Sequence, residues 1–89
     1  MTTLPIINMN GTSAESLFDE YLEAHRLLTR AERFLREFTT CHGRDFQCNP
    51  VGDFDKAKEE RYQMFVKLNN VIEYCERWGE VAENNIDFD

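Results

Sequence analysis

The stretch TSAESLFDEYLEAHRLLTRAERFLREFTT, residues 12–40, decides the fold. Its apolar residues recur in alternating steps of four and three, which places them on one side of a helix that packs against another helix. These positions are Leu17, Tyr21, Ala24, Leu28, Ala31, Leu35 and Phe38. Because no glycine or proline interrupts the run, we predict one helix over residues 12–40, roughly 40 Å long.

The two ends of this helix carry local signals. Thr12 or Ser13 is the expected N-cap, and Thr12 with Glu15 fits a capping box, in which two side chains satisfy free backbone N–H groups. Gly43 follows the last apolar position and is typical of the residue beyond a helix end.

A second helix is predicted over residues 54–82, with Asp53 or Asp55 as its cap. Its apolar row has the same alternating spacing. The row consists of Ala57, Arg61, Met64, Leu68, Val71, Cys75, Trp78 and Ala82. Arg61 is the exception in this row, and three roles stay open for it: pairing with Glu32, reaching outward to solvent, or lining a phosphate-sized site.

The connection of residues 41–53 makes the two helices an antiparallel hairpin. Residues 1–11, MTTLPIINMNG, are predicted to form an extended arm, which either covers part of the core or crosses onto a neighbouring subunit. Residues 83–89 form an acidic tail. We therefore predict a single all-α domain, residues 1–89. Additional apolar residues widen both rows, which favours assembly of the hairpins into an oligomeric bundle.

Composition excludes several classes of function. The chain has 17 acidic against 10 basic residues, a formal charge of −7, which is unlike a DNA- or RNA-binding protein. Its three cysteines form no C-x-x-C pair, and adjacent Cys41 and His42 are poorly spaced for zinc. No apolar run is long enough for a membrane span or signal core. We expect a cytoplasmic protein with no metal, cofactor or catalytic site.

The loop CHGRDFQCNPVG, residues 41–52, is longer than a helix–helix turn requires. In a structural interpretation, Phe46 closes the end of the hairpin, and Arg44 and Asp45 pair or cap helix ends. In a functional interpretation, arginines bind an anion and an aromatic ring stacks on a base. The candidate ligand-binding residues are Arg44, Phe46, His42, Arg61, Arg30, Arg33 and Lys56.

The order of features resembles small helical-hairpin accessory proteins of tailed phages and prophages. The matching residues are Leu4-Pro5, Asn10-Gly11-Thr12 and Gly43-Arg44-Asp45-Phe46, together with Ala57, Glu60, Arg61 and Leu68. The resemblance implies an accessory protein in the cytoplasm of a bacterial host, where some small helical phage proteins counteract host defence.

Two functions are favoured by these observations, and a purely structural assembly factor is a third class that the sequence leaves open. In the first, an oligomeric, non-catalytic protein sequesters an anionic nucleotide-like signal of the host. In the second, the chain is a protein-interaction module that inhibits or scaffolds a host or phage protein through its helical faces.

Overall fold

The computed structural model describes residues 2–86 and is helical, with no strand in that range. Helix α1 spans Ala14–Phe38, a short 3₁₀-helix spans Gly43–Phe46, and helix α2 spans Asp53–Asn84. The predicted all-α class is therefore confirmed. The molecule is elongated, with principal extents of 63 × 25 × 16 Å.

Contacts between α1 and α2 run in opposite chain directions, as in an antiparallel hairpin. At one end, the ring of Tyr21 stacks on Trp78 with centroids 5.1 Å apart. Towards the connecting loop, the Arg36 guanidinium lies 4.9 Å from the centroid of the Phe65 ring. Residues early in α1 thus contact residues late in α2, and residues late in α1 contact residues early in α2.

Helix α1 begins and ends slightly inside its predicted limits. Ser13 is the N-cap, and its hydroxyl accepts a hydrogen bond from the backbone N–H of Ser16 at 3.1 Å. The predicted capping box of Thr12 and Glu15 is therefore wrong by one residue. The helix ends at Phe38 because Thr39 adopts an extended backbone conformation, φ −113° and ψ 149°.

Helix α2 begins after Gly52, which has the left-handed backbone conformation, φ +99°. Glycine adopts this conformation without the steric penalty of a Cβ atom, so Gly52, rather than an aspartate, is the N-cap. The helix continues two residues beyond the predicted end, to Asn84. The backbone N–H of Asn85 closes it by donating to the carbonyl of Ala82 at 3.0 Å.

The side of α1 that packs against α2 is rotated by about one row of side chains from the predicted side. Ala31 and Phe38 are exposed, whereas His25, Glu32 and Thr39 are half-buried. Two overlapping rows share Tyr21, Leu28 and Leu35, and the row through Phe18, His25, Glu32 and Thr39 turns towards α2. The spacing is equal for both rows, and the sequence favoured the other one because its members are apolar, whereas this row contains His25, Glu32 and Thr39.

The hairpin buries few side chains completely. Among residues 2–86, only Ala14, Cys75 and Ala82 are buried, and none of them has a large side chain. The remaining contact residues are half-buried between the two helices. Such a thin core is the expected result of packing only two helices together.

The N-terminal residues lie along one face of the hairpin, which we call the arm face. Pro5, Ile6 and Ile7 border a cavity of about 150 Å³ together with Leu17 of α1 and Trp78 of α2. Leu4 and Ile7 are half-buried, whereas Ile6 is 90% and Met9 99% exposed. Two of these four apolar residues of the arm are thus partly covered. Predictions that involve Met1 or the end of the acidic tail, residues 87–89, lie outside the described residues.

Candidate functional site

Arg61 is occupied by the end of α1. Its guanidinium donates hydrogen bonds to the Leu35 carbonyl at 2.9 Å, the Thr39 carbonyl at 3.3 Å and the Thr39 hydroxyl at 3.0 Å. The last carbonyls of a helix lack intrahelical partners and carry partial negative charge, which a cation stabilises. Pairing with Glu32, one of the three roles that the sequence left open for Arg61, does not occur, because Glu32 binds Arg36 instead. Through these hydrogen bonds, the half-buried Arg61 connects α2 to the end of α1.

The three other cations of the predicted site lie on exposed surfaces. Arg33 pairs with Glu37 at 3.2 Å across one turn of α1, a spacing at which opposite charges on a helix meet. Arg30 and Lys56 are exposed, and neither takes part in an ion pair among residues 2–86. Exposed pairs of the Arg33–Glu37 kind contribute little to stability.

The three loop residues of the predicted site lie in or next to the short 3₁₀-helix. The Asp45 carboxylate accepts a hydrogen bond from the His42 backbone N–H at 3.2 Å, so it caps that helix. The Phe46 ring packs on Phe54 of α2 with centroids 5.7 Å apart and is half-buried. Arg44 is exposed and without an ion-pair partner in the described range.

The seven predicted ligand residues therefore divide into separate environments. The structure brings His42, Arg44 and Phe46 together on the short helix and commits Arg61 to the end of α1. None of the seven lines the five most distinct cavities of residues 2–86, all of which are bordered by other residues.

The cysteines provide no cross-link or metal site in residues 2–86. Cys41, Cys48 and Cys75 are free thiols. No group of three or more potential metal-ligating side chains occurs in this range. Within the same residues, neither helix has a stretch of sufficient length and apolarity to span a bilayer.

The arm face carries an exposed apolar patch beyond the arm, towards the loop. Residues spaced by seven share one side of a packed helix. On α1, Ala31 and Phe38 therefore lie on the same side as Leu17. On α2, Met64 and Val71 lie on the same side as Trp78. The exposed fractions are 51% for Leu27, 59% for Phe34, 69% for Phe38, 36% for Met64 and 46% for Val71. The rings of Phe34 and Phe38 lie 5.3 Å apart. We call the five residues whose exposed fractions are given above, together with Ala31, the apolar patch.

Sequence reasoning assigned most of the patch to the contact between α1 and α2. Leu27 and Phe34 are among the additional apolar residues that widen the predicted rows, and this width was the available signal. Phe38, Met64 and Val71 were placed in the two predicted contact rows and are in fact partly or largely exposed.

The opposite face of the hairpin has a groove of about 380 Å³ near the ends of the chain. Phe18, Tyr21 and Leu22 of α1 form its apolar side, and Gly79 and Cys75 of α2 lie across from them. Burial raises the pKa of the Cys75 thiol and, as the largest cause, that of the Tyr21 phenol. Both groups are therefore uncharged at neutral pH.

The rim of this groove is acidic. His25 Nε2 lies 2.8 Å from Glu76 Oε1 and joins the two helices. Glu80 and Glu83 follow on the same side of α2 and border the groove. Neither forms an ion pair in residues 2–86. The groove therefore combines an apolar interior with unneutralised carboxylates.

Charge is distributed unevenly along the hairpin. Residues 14–26 and 70–86, which pair near the chain ends, carry eight acidic against two basic residues. Residues 27–69, which form the loop half, carry seven acidic against eight basic residues. The excess negative charge of the described residues thus belongs to the half that contains the groove.

Comparisons of the chain with known protein families, curated proteins and solved structures found no match.

Proposed function

We propose that this chain is a non-catalytic protein-interaction module that associates with itself through the apolar patch. The observation that carries the proposal is the exposure of five large apolar side chains on one face of the hairpin. Contiguous exposed apolar surface of this kind is typical of contacts between proteins. Two hairpins packed on this face would form a four-helix bundle, which gives each the second layer that a two-helix unit lacks.

The surface area supports self-association. The chain of 10.5 kDa exposes 7184 Å². A compact monomer of that mass would expose about 5,400 Å², which leaves an excess of roughly 1,750 Å². A stable dimer buries about 800 Å² on each partner. The elongated shape accounts for part of this excess, which as a whole is about twice the area that each partner buries in a stable dimer.

Light scattering of the purified protein tests this proposal. We expect a native mass of at least twice 10.5 kDa at micromolar concentration. Phe34→Glu should weaken association at least about a hundredfold, because a symmetric contact loses the burial of both copies of the ring.

Leu22→Glu is the matched control, since Leu22 is 53% exposed and lies on the opposite face. This variant should keep the native mass. A well-folded wild-type monomer at high concentration, or an unchanged mass for Phe34→Glu, would refute self-association through the patch.

Capture of an anionic nucleotide-like signal is the second candidate. Its support is the exposed Arg44, together with Arg30 and Lys56 in the half of the hairpin that lacks excess negative charge. The commitment of Arg61 to α1 removes one expected contact. Calorimetry with cyclic and linear nucleotides should show saturable binding that is lost in Arg44→Ala, and no heat across the panel would eliminate this candidate.

The biological setting that we propose follows the resemblance to phage accessory proteins. In that setting, the module counteracts a host defence in the bacterial cytoplasm, by inhibiting or scaffolding a host or phage protein. The rationale is the resemblance of the loop and helix residues quoted from the sequence.

A further inference from the structure

We propose that the groove binds a basic amphipathic helix of another protein. An apolar side chain of that helix would lie over Gly79, and its lysines or arginines would contact Glu80 and Glu83. The inference goes beyond the proposed function because it concerns the face opposite the apolar patch and specifies the chemistry of a partner.

The first argument is the glycine within α2. Glycine in a helix interior lowers stability by about 1 kcal/mol relative to alanine. A Cβ atom at Gly79 would meet only the Tyr21 Cβ, at 3.9 Å, which is an ordinary contact. Packing between the helices therefore gives no steric reason for glycine here. The absence of a side chain at Gly79 leaves open space between Tyr21 and α2.

The second argument is an acidic stripe on the same helix. Glu73, Glu76, Glu80 and Glu83 follow one another in steps of three, four and three, which brings their carboxylates onto neighbouring turns. Like charges at these spacings repel, and acidic groups near a helix C-terminus also oppose the helix dipole. The last turn of α2 contains no basic residue. Cations from a partner would relieve both effects.

The third argument is the combination of shape and charge. The groove runs between two antiparallel helices, and such grooves accept the ridge of side chains on a third helix. Its apolar side chains include Leu22, which is 53% exposed. The surrounding half of the hairpin has eight acidic against two basic residues, which attracts a basic partner and repels an acidic one.

A designed peptide tests the inference on the full-length protein. The probe is an 18-residue peptide of leucine and lysine with its leucines on one helical face, labelled for fluorescence anisotropy. A scrambled peptide of equal composition has the same charge and no apolar face. We expect saturable binding of the amphipathic peptide, at least about tenfold tighter than the scrambled one, because only the former seats a leucine in the groove.

Two protein variants locate the binding. Gly79→Leu fills the groove and should weaken binding about tenfold or more, whereas Gly79→Ala, which adds only one methyl group to the same space, should weaken it less. Glu80→Gln with Glu83→Gln should weaken binding and flatten its dependence on salt. The matched charge control, Glu59→Gln with Glu60→Gln in the loop half, should have little effect. Circular dichroism verifies the fold of each variant.

Equal affinity for the two peptides would overturn the inference, because it would indicate charge attraction without a groove. Full binding by a folded Gly79→Leu variant would also overturn it. A wild type that is monomeric yet binds the amphipathic peptide through Gly79 would refute self-association and leave the groove intact. A dimer that does not bind the amphipathic peptide selectively would support self-association and overturn the inference about the groove.

Discussion

Replacing Arg61 with methionine should destabilise the hairpin strongly, because this side chain connects α2 to the end of α1. Methionine keeps an apolar stem of similar length and removes all three hydrogen bonds, two to backbone carbonyls and one to the Thr39 hydroxyl. A hydrogen bond from a charged donor contributes about 1.5–3 kcal/mol where water is excluded. Arg61 is only half-buried, so water can reach the Thr39 carbonyl, and the Leu35 carbonyl keeps its hydrogen bond from the Thr39 hydroxyl.

We therefore expect a total loss near the value of one such bond plus the interaction with the helix end, about 2–3 kcal/mol. For a domain of this size, that loss lowers the melting temperature by roughly 10–20 °C. Arg61→Lys keeps the charge without the planar fork and should fall between wild type and Arg61→Met.

Urea unfolding followed by circular dichroism measures these differences, at one protein concentration because association would shift the midpoint. Arg44→Met is the matched control, since Arg44 is exposed and unpaired among the described residues. If Arg61→Met loses no more stability than Arg44→Met, then the interactions of Arg61 with α1 do not support the fold. Arg61 would then again be a candidate for direct contact with an anionic ligand.

Three further changes test other features of the hairpin. Ser13→Ala should lower the free energy of unfolding by about 1 kcal/mol, since it removes the N-cap of α1. Gly79→Ala should raise the melting temperature, because alanine favours the helix by about 1 kcal/mol and its Cβ has room. Alkylation followed by mass spectrometry should modify the exposed Cys48 first and Cys75 last, because burial raises the pKa of the Cys75 thiol and restricts access to it.

Each of these predictions has a clear contrary result. Ser16→Ala, one turn into α1, removes no cap hydrogen bond from its side chain, so equal losses for Ser13→Ala and Ser16→Ala would contradict the capping role. A melting temperature lowered by Gly79→Ala would mean that the site cannot accommodate a methyl group. Cys75 reacting as fast as Cys48 in native buffer would show that the hairpin opens more readily than its packing indicates.

The all-α class and the helix limits could be predicted from sequence because they depend on local chemistry. An uninterrupted row of apolar residues spaced four and three apart fixes a helix, and the Ser13 hydroxyl caps the start of α1. The cap of α2 was missed, because Gly52 rather than an aspartate precedes that helix. Errors of one or two residues arose where neighbouring candidates compete, as with Thr12 and Ser13. The ion pair of Arg33 with Glu37 was predictable for the same reason, since both partners lie on one helix.

The roles of Arg61 and Phe38 were not predictable because they depend on how one helix is rotated against the other. Spacing leaves two equivalent rows on α1, and choosing between them reverses which side chains are exposed. Arg61 was recognised as an exception, yet its partners are backbone carbonyls that become available only where α1 ends. The groove depends equally on this rotation, since Gly79 marks open space only when Tyr21 lies across from it.

Trp78 is the single tryptophan of the chain, and it lies where the N-terminal residues meet both helices. Its ring stacks on Tyr21, and its buried indole Nε1 has no hydrogen-bond partner in residues 2–86. Indole emission shifts to longer wavelength when water reaches the ring. The chain therefore contains its own optical probe: a red shift that precedes the loss of helical signal would time the release of the N-terminal segment without any added label.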